Sequence, residues 1–581
     1  MIKISTADRS VVVPLFGSDC LLEESDRKIF SESFIFLASE YLSKNRRDLK
    51  TEVTDLRCRV LKDMSNHLDY EALYFGKYRG LSILLGQWIE RLLTFFFQLE
   101  TYYQFAIKEL GEDSFIILPD NSGYKFDSLS QISELSTNEA ALSYVSSLYF
   151  KNREIDVQIE GIAETIEIPS LSKKSLVLSR LKLAAVDVGN LLSDLMAILR
   201  GKRLPVAAIS FDMCLTDWFS MIYRGILVRH RPELPPFHKN ADCLNGDVFK
   251  NFRFHARNNY ERAAVASLLG AIPQLVSAVI MFNSGQRGSK FMFNRDIVTN
   301  YGLIDCREAF AFAAVNTIDA GNRVLECQHG GGFGSWENIP EENFEIEFSD
   351  GYGVWGWADG SNPKVSNVFS FKLRACRKMR DLRKKLIDRK LLEGILLVGG
   401  AWAPLVTRFQ DGPIGTELVE YYKEQQKLAI DLTHFSSSSV YFRPYPESFG
   451  VREYSWFESE RRVDIDRGKF LDVLVKRRLV IFDHPTTGYI ESMLAGIPTL
   501  VIAKKAWFPV RSEFRDLWAR LSSVGVVHFD VESALSMALS VESDPEGWFN
   551  SEAVSREVLS FLSLFGGVND KKESFETFLK R

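Results

Sequence analysis

The sequence is short of several things, and each shortage excludes something. Its seven cysteines, Cys20, Cys58, Cys214, Cys243, Cys306, Cys327 and Cys376, are scattered, odd in number and without a CxxC pair. That argues against a disulfide framework or a thiolate zinc site and fits reduced thiols in a cytoplasmic protein. There is no excess of positive charge: 71 Lys and Arg stand against 76 Asp and Glu, a net charge of -5. A global nucleic-acid binder would show the opposite balance, so none is expected. No apolar run reaches the roughly 20 residues of a membrane span. The nearest, "LSILLGQWIERLLTFFFQLETYYQF", is broken by Glu90 and Arg91 and reads as a buried helix. The first residues lack an apolar leader core and a small-residue cleavage site, so the start is expected to be retained. Repeats, low-complexity tracts and a full GxGxxG are missing too.

What is present is ample material for large cores: 46% hydrophobic and 25% charged residues over 581 positions. That length predicts two or three domains. Apolar residues recur at helical spacing from Ser31 to about Lys108, so the chain is expected to open with packed helices. A helical pattern from Ser175 to Gly201 precedes the strand candidate "LPVAAIS", and the alternation continues to "REAFAFAAVNTIDAGNRVLECQHGGG". Residues 372–390 hold ten basic residues against Asp381 and Asp388 and mark a seam. Beyond it, "GILLVGGA", "SSVYFRPYP", "LVIFDHPTTG", "PTLVIA" and "GVVHFD" are short apolar runs separated by helices. Five such runs predict a parallel, doubly wound α/β sheet buried on both faces.

In such a sheet ligands collect beyond the carboxyl ends of the strands. Gly399 and Gly400 follow one strand, Arg443 another, and Thr486, Thr487 and Gly488 a third. Glycines let backbone N–H groups approach a phosphate, an arginine meets it with a two-pronged fork, and a helix N-terminus adds positive potential. Glu491, one turn on, suits the vicinal hydroxyls of a ribose, and His484 is a second phosphate contact. His329 follows a buried-type strand and precedes three glycines, where a side chain projects into a cleft; its ordinary titration range suits proton removal from an attacking hydroxyl. Gln328, Gly330 and Gly331 are expected beside it, as are Asp350 and Asp359 at the ends of "DGYGVWGWADG". Asp464 and Asp466 imitate a metal-binding DxD but read as acids capping the helix "RGKFLDVLV", so no metal is expected.

The motifs "YRGLSILLGQW", "ECQHGGGFG", "SDGYGVWGWADG", "FDHPTTGYIESMLAGIPTLVI" and "LSSVGVVHFDVESALSMALS" occur in order over roughly residues 75–560. With them the sequence resembles a family of bacterial transferases from surface-carbohydrate gene clusters, marked by paired QHGG and WGW motifs. More distantly it is similar to the GT-B glycosyltransferases, including ulosonic-acid and teichoic-acid polyol-phosphate transferases. That resemblance implies two Rossmann-like domains facing a cleft, with a helical N-terminal elaboration. It implies an acceptor-side domain over 1–385, a nucleotide-sugar domain over 386–565 and a tail or crossover helix over 566–581. His329 matches an HG motif, where the resemblance implies a catalytic base. Arg443 and Pro444 match an RPHP-like motif in which Tyr445 stands where the family carries histidine.

The expected function is therefore transfer of a sugar from a nucleotide-activated donor, a CMP-linked acidic sugar by resemblance, to a surface-glycan, lipid-linked or protein acceptor. No cofactor is expected, the nucleotide sugar being a substrate. Polyol-phosphate transfer, epimerisation of a nucleotide sugar and a non-catalytic scaffold are the alternatives. The expected location is cytoplasmic, with residues 372–390 making weak peripheral contact with the inner face of the membrane.

Overall fold

The computed structural model describes residues 2–5, 10–13, 34–68, 78–110, 115–162 except 122 and 137, 206–209, 226–229, 248–282, 296–567 except 404, 405, 416 and 446–462, and 575–579 except 576. The helix expected over 175–201 lies outside them. The four cysteines within them that could pair, Cys58, Cys306, Cys327 and Cys376, are free thiols.

The chain opens on strands, which corrects the expected helical start. β1 (Ile2–Ser5) pairs antiparallel with β2 (Ser10–Val13) and with β3 (Phe115–Asp120), and β3 pairs parallel with β4 (Val157–Ile162). Four-residue strands leave too short an alternation to stand out from the helical pattern that follows. The helices Phe34–Lys44, Arg46–His67 and Tyr78–Leu110 come next. The last is long and apolar enough to cross a membrane by length and composition, yet 94% of its apolar window is buried inside the fold. Its two interrupting charges are partnered there: Glu90 accepts from Arg57 at 2.5 Å, and Arg91 donates to the Ile304 carbonyl at 3.1 Å.

Two six-stranded parallel sheets follow. The first comprises β5 (Val206–Ile209), β6 (Ile226–Arg229), β7 (Asp296–Thr299), β8 (Val324–Cys327), β9 (Gly351–Val354) and β10 (Val365–Asn367), in the order 10-9-8-7-5-6. The second comprises β11 (Glu393–Val398), β12 (Val440–Arg443), β13 (Val463–Ile465), β14 (Arg477–Phe482), β15 (Thr499–Ile502) and β16 (Val527–His528), in the order 13-12-11-14-15-16. Counted from β11 this is the doubly wound order 3-2-1-4-5-6, with its topological switch between β11 and β14. Leu396, Leu397, Val480, Ile481, Leu500 and Val501 are wholly buried, as strands covered on both faces require.

The second sheet has one strand more than the five apolar runs. The extra strand, β13, is "VDI", so Asp464 sits in an edge strand rather than at a helix cap. Asp466 also caps nothing: its carboxylate accepts from the Gly468 N–H at 3.0 Å and from Arg477 at 2.5 Å. Those bonds hold Asp466 below the usual carboxylate range in spite of its partial burial.

The basic seam is the helix Phe371–Asp388, which runs through the 385/386 boundary. It is not wholly solvated. Arg383 is buried, donates to the carbonyls of Val475 and Arg477 at 3.1 and 2.9 Å, and pairs with Glu546. At the far end the chain returns to the first sheet, where the Leu579 carbonyl accepts from Arg323 at 2.7 Å.

Residues 409–412 tie three parts of the molecule together. The Asp411 carboxylate accepts from the Asn338 N–H at 2.7 Å, the Gly412 N–H donates to the Trp507 carbonyl, and the Gly412 carbonyl accepts from Arg46 at 2.6 Å. Burial pushes Asp411 up from 3.8 to about 7, against the Asn338 N–H and the nearby Arg46 and Arg47, which pull it down. A carboxyl raised in the folded state stabilises the fold fully below its unfolded value. That contribution is lost as pH climbs from about 3.8 to about 7. Asp411→Asn should flatten this dependence, gaining on the native protein by about 1.4 kcal/mol per unit across that window. Denaturant titrations of both proteins from pH 4 to 8 would reveal it.

Candidate functional site

The site grows from the carboxyl ends of β7 and β8. After Cys327 the chain leaves the sheet through Gln328, which is buried and has its amide oxygen doubly engaged. Its oxygen accepts from the Trp355 N–H at 3.1 Å and the Trp357 indole at 2.8 Å, while its nitrogen donates to the Gly330 carbonyl at 2.7 Å. Gln328 therefore clamps the QHGG and WGW motifs together, and it also lines the slot beside His329.

His329 comes next, its side chain 21% exposed. Its ring stands edge-on between Tyr301 and Phe333, with centroids 4.9 and 4.7 Å away. Behind it, Nδ1 lies 3.4 Å from Oε1 of Glu345, a wholly buried residue whose Oε2 accepts from the Tyr352 hydroxyl at 2.9 Å. Burial pushes Glu345 well above the usual carboxylate range, and Glu326, buried beside it, is raised for the same reason and by the repulsion of Glu345. Glu345 carries no sequence signal beyond being one acid among four in "PEENFEIEF".

The glycines behind His329 meet protein. The Gly331 N–H donates to Thr487 Oγ1 at 2.9 Å, and a methyl group on Gly331 would lie 2.8 Å from the Thr487 Cα. A methyl on Gly330 would strike Phe333. Gly331 admits the second unit's backbone, and Gly330 the loop's own Phe333 ring. A few residues on, Trp336 is buried in the second unit's core, its ring 4.8 Å from that of Trp518, and the Arg511 N–H donates to the Ser335 carbonyl.

Across this contact lies the helix Thr487–Leu494. Thr486 occupies its N-cap but makes no side-chain cap. Its hydroxyl pairs with His484 Nε2 at 3.0 Å, and His484 Nδ1 pairs with Asp483 at 2.5 Å. A carboxylate fixes the proton on Nδ1 and leaves Nε2 to accept from the threonine. His484 is buried, so it reaches the helix end only through Thr486. The first-turn N–H groups are left without a side-chain cap at the positive end of the helix.

The other expected residues divide. The Gly399 N–H donates to the Arg443 carbonyl, and the Gly400 N–H to Asp483 at 3.0 Å and to the Tyr421 hydroxyl at 3.0 Å. Both N–H groups are thus occupied, and the pair of glycines serves to seat His484 and Phe442 closely. Arg443 donates to the carbonyls of Asp466 and Gly468 at 3.3 and 2.6 Å, and its guanidinium lies 5.2 Å over the Phe470 ring, which packs beneath Gly488. Glu491 is buried and bridged at 3.0 Å by Lys372, so a ribose does not find it open. Asp350 sits at the start of β9, the opposite end of the strands from His329, and pairs with Arg79 at 2.9 Å. Asp359 is exposed and closes a turn through the Ser361 N–H at 2.8 Å. Neither faces the site. Beside His329 is a slot of about 20 Å³, walled partly by Asn300, Trp355, Phe369 and Lys372. That is room for a water molecule. Among the described residues no group of three or more His, Cys, Asp or Glu could hold a metal ion.

The architecture defines an α/β protein in which a histidine loop of one parallel sheet meets a helix N-terminus of another. The chain belongs to the LIC12162 family of transferases, whose pattern it matches over residues 78–574, and it is thereby a transferase. No curated protein matches it. Among solved structures, the wall teichoic acid polymerase TagF aligns at 11% identity over 69% of this chain and 94% of its own, with a TM-score of 0.30. A variant of TagF aligns at 9% identity over 71% and 97%, also with a TM-score of 0.30. Likenesses that faint carry nothing further.

The Gly331 contact has a direct test. Thr487→Val should cost about 1–3 kcal/mol by leaving a buried N–H unpaired, while Thr487→Ser should restore it. Equal unfolding midpoints for the two variants would contradict the contact.

Proposed function

We propose that the chain is a glycosyltransferase of GT-B type, taking a sugar from a nucleotide-activated donor to a surface-glycan, lipid-linked or protein acceptor. The observation that carries this reading is the position of His329: backed by buried Glu345, on a loop that touches the uncapped N-terminus at Thr487. A base and an anion-binding helix end are the two things that displacement of a nucleotide phosphate by a hydroxyl requires.

In the proposed reaction His329 takes the proton of the acceptor hydroxyl as its oxygen attacks the anomeric carbon. The bond from that carbon to the phosphate oxygen breaks, and the charge grows where the first-turn N–H groups and Arg443 supply positive potential. The Asp483, His484 and Thr486 chain holds the start of that helix in place. A metal has no necessary part in this scheme. Gly399, Gly400 and Glu491 act as the frame of the donor side, and a change of packing around His329 has to widen its slot for an acceptor. An acidic sugar on CMP is the donor we favour, and the cytoplasm the location.

The basic helix Phe371–Asp388 supports contact with anionic lipid at the inner membrane face, because Lys378, Lys384 and Lys385 are exposed around Leu382, itself 42% exposed.

His329→Ala should abolish transfer and leave nucleotide affinity within about twofold, since the nucleotide is held by the other unit. A thermal-shift screen against CMP, CDP, UDP, GDP and their sugars would first identify the donor. A fully active His329→Ala protein, or no nucleotide that binds, would overturn the proposal. Reversing Lys378, Lys384 and Lys385 to Glu should remove salt-sensitive sedimentation with anionic vesicles without moving the melting temperature. Arg383 is unsuited to that experiment, being part of the core.

A further inference from the structure

A cavity of about 530 Å³ lies on the side of the Pro340–Phe348 helix opposite to Glu345 and His329. Its volume falls within the range of roughly 300–1,000 Å³ typical of small-molecule sites. One wall is the polar stripe of the Arg46–His67 helix, where Arg47, Lys50, Thr54 and Arg57 recur every three or four residues. The facing wall includes Pro340, Asn343, Phe344 and Glu347, the same spacing on the shorter helix.

The charges in these walls are paired with one exception. Arg47 pairs with Glu337, Arg57 with Glu90 at 2.5 Å and Glu347 at 3.7 Å, and Asp55 with Arg59 and Arg257, each at 3.0 Å. Lys50 has no hydrogen bond or ion pair among the described residues. Burial holds its ammonium below the usual lysine range, although Glu90, Asp411 and Glu342 pull the other way. Arg57, 3% exposed, keeps its Nε buried with no acceptor. That nitrogen is sealed from the cavity, so the partly desolvated Lys50 ammonium is the group on its wall whose cost an anionic ligand would remove.

We propose that this cavity binds a sugar bearing a single carboxylate, with Lys50 meeting the carboxylate. One unpaired ammonium among four lining carboxylates matches a single negative charge. A phosphate monoester, carrying about 1.5 to 2 charges, would be repelled by Asp55, Glu90, Glu337 and Glu347. Those same carboxylates, with Thr54 and Asn343, are acceptors and donors for hydroxyl groups, which a fatty acid would leave unmatched. The site is separate from the His329 loop and does not depend on the transfer reaction.

Calorimetry of the full chain with D-glucuronate, D-glucose and inorganic phosphate tests it. Glucuronate should bind, glucose should bind at least about tenfold more weakly, and phosphate should not compete. Lys50→Met should weaken glucuronate by about tenfold or more without lowering the melting temperature, since a lysine without a partner is lost. Lys50→Arg should retain binding, and His329→Ala should leave it unchanged. The proposal is overturned by no glucuronate binding, by glucose or phosphate binding equally well, by an indifferent Lys50→Met, or by loss of binding in His329→Ala.

Discussion

Much of this structure depends on how closely two backbones approach at Gly331 and Thr487. Only a residue without a side chain lets the loop after β8 come within bonding distance of the helix after β14, and the hydrogen bond between them sets the distance. From that contact follow the direction of the loop, the entry of Trp336 into the neighbouring core, and the place of His329 at the margin of both units. A run of three glycines that looks like a ligand cradle is, in the main, a joint.

The joint is surrounded by groups that burial has made reluctant to ionise. Glu326, Glu342 and Glu345 are all buried and all raised, and Arg511 only partly offsets this at Glu342. Acids in such places are destabilising when left alone. Glu342 repays its burial by accepting from the Gly334 N–H and from Arg511, so it too fastens the loop. Glu345 has a different surrounding: a tyrosine on one oxygen and a histidine ring near the other. Two buried acids with different partners stand one helical turn apart.

The regular part of the fold was legible in the sequence. Runs such as "ILLV", "LVIF" and "TLVI" are apolar throughout because both faces of the second sheet are covered, and β8 ends where "VLEC" ends. What escaped were elements too short to show a period: β1, β2 and the edge strand β13. For the site, position was more legible than partnership. Gly331, two residues after His329, meets Thr487, and His484 meets Thr486, because each pair follows strands at the carboxyl edges of the sheets. Yet Gly400, Gln328 and Glu491 converge only to be consumed by Asp483, Trp357 and Lys372, and no spacing rule reveals that. Asp350 failed for a plainer reason, since the two ends of a short strand point to opposite edges of the sheet.

Trp336 bears on how such a protein can be taken apart. Its indole belongs by sequence to the first sheet's loop and by packing to the second sheet's core, against Trp518 and Phe508. A fragment beginning at the basic seam would carry a hole the size of an indole, and the complementary fragment would expose that ring to water. The tail that returns to Arg323 makes the same point from the other end. Halves exchanged between relatives at the seam would therefore match poorly, and a workable chimera has to carry the glycine loop and the tail along with the partners they are built to fit.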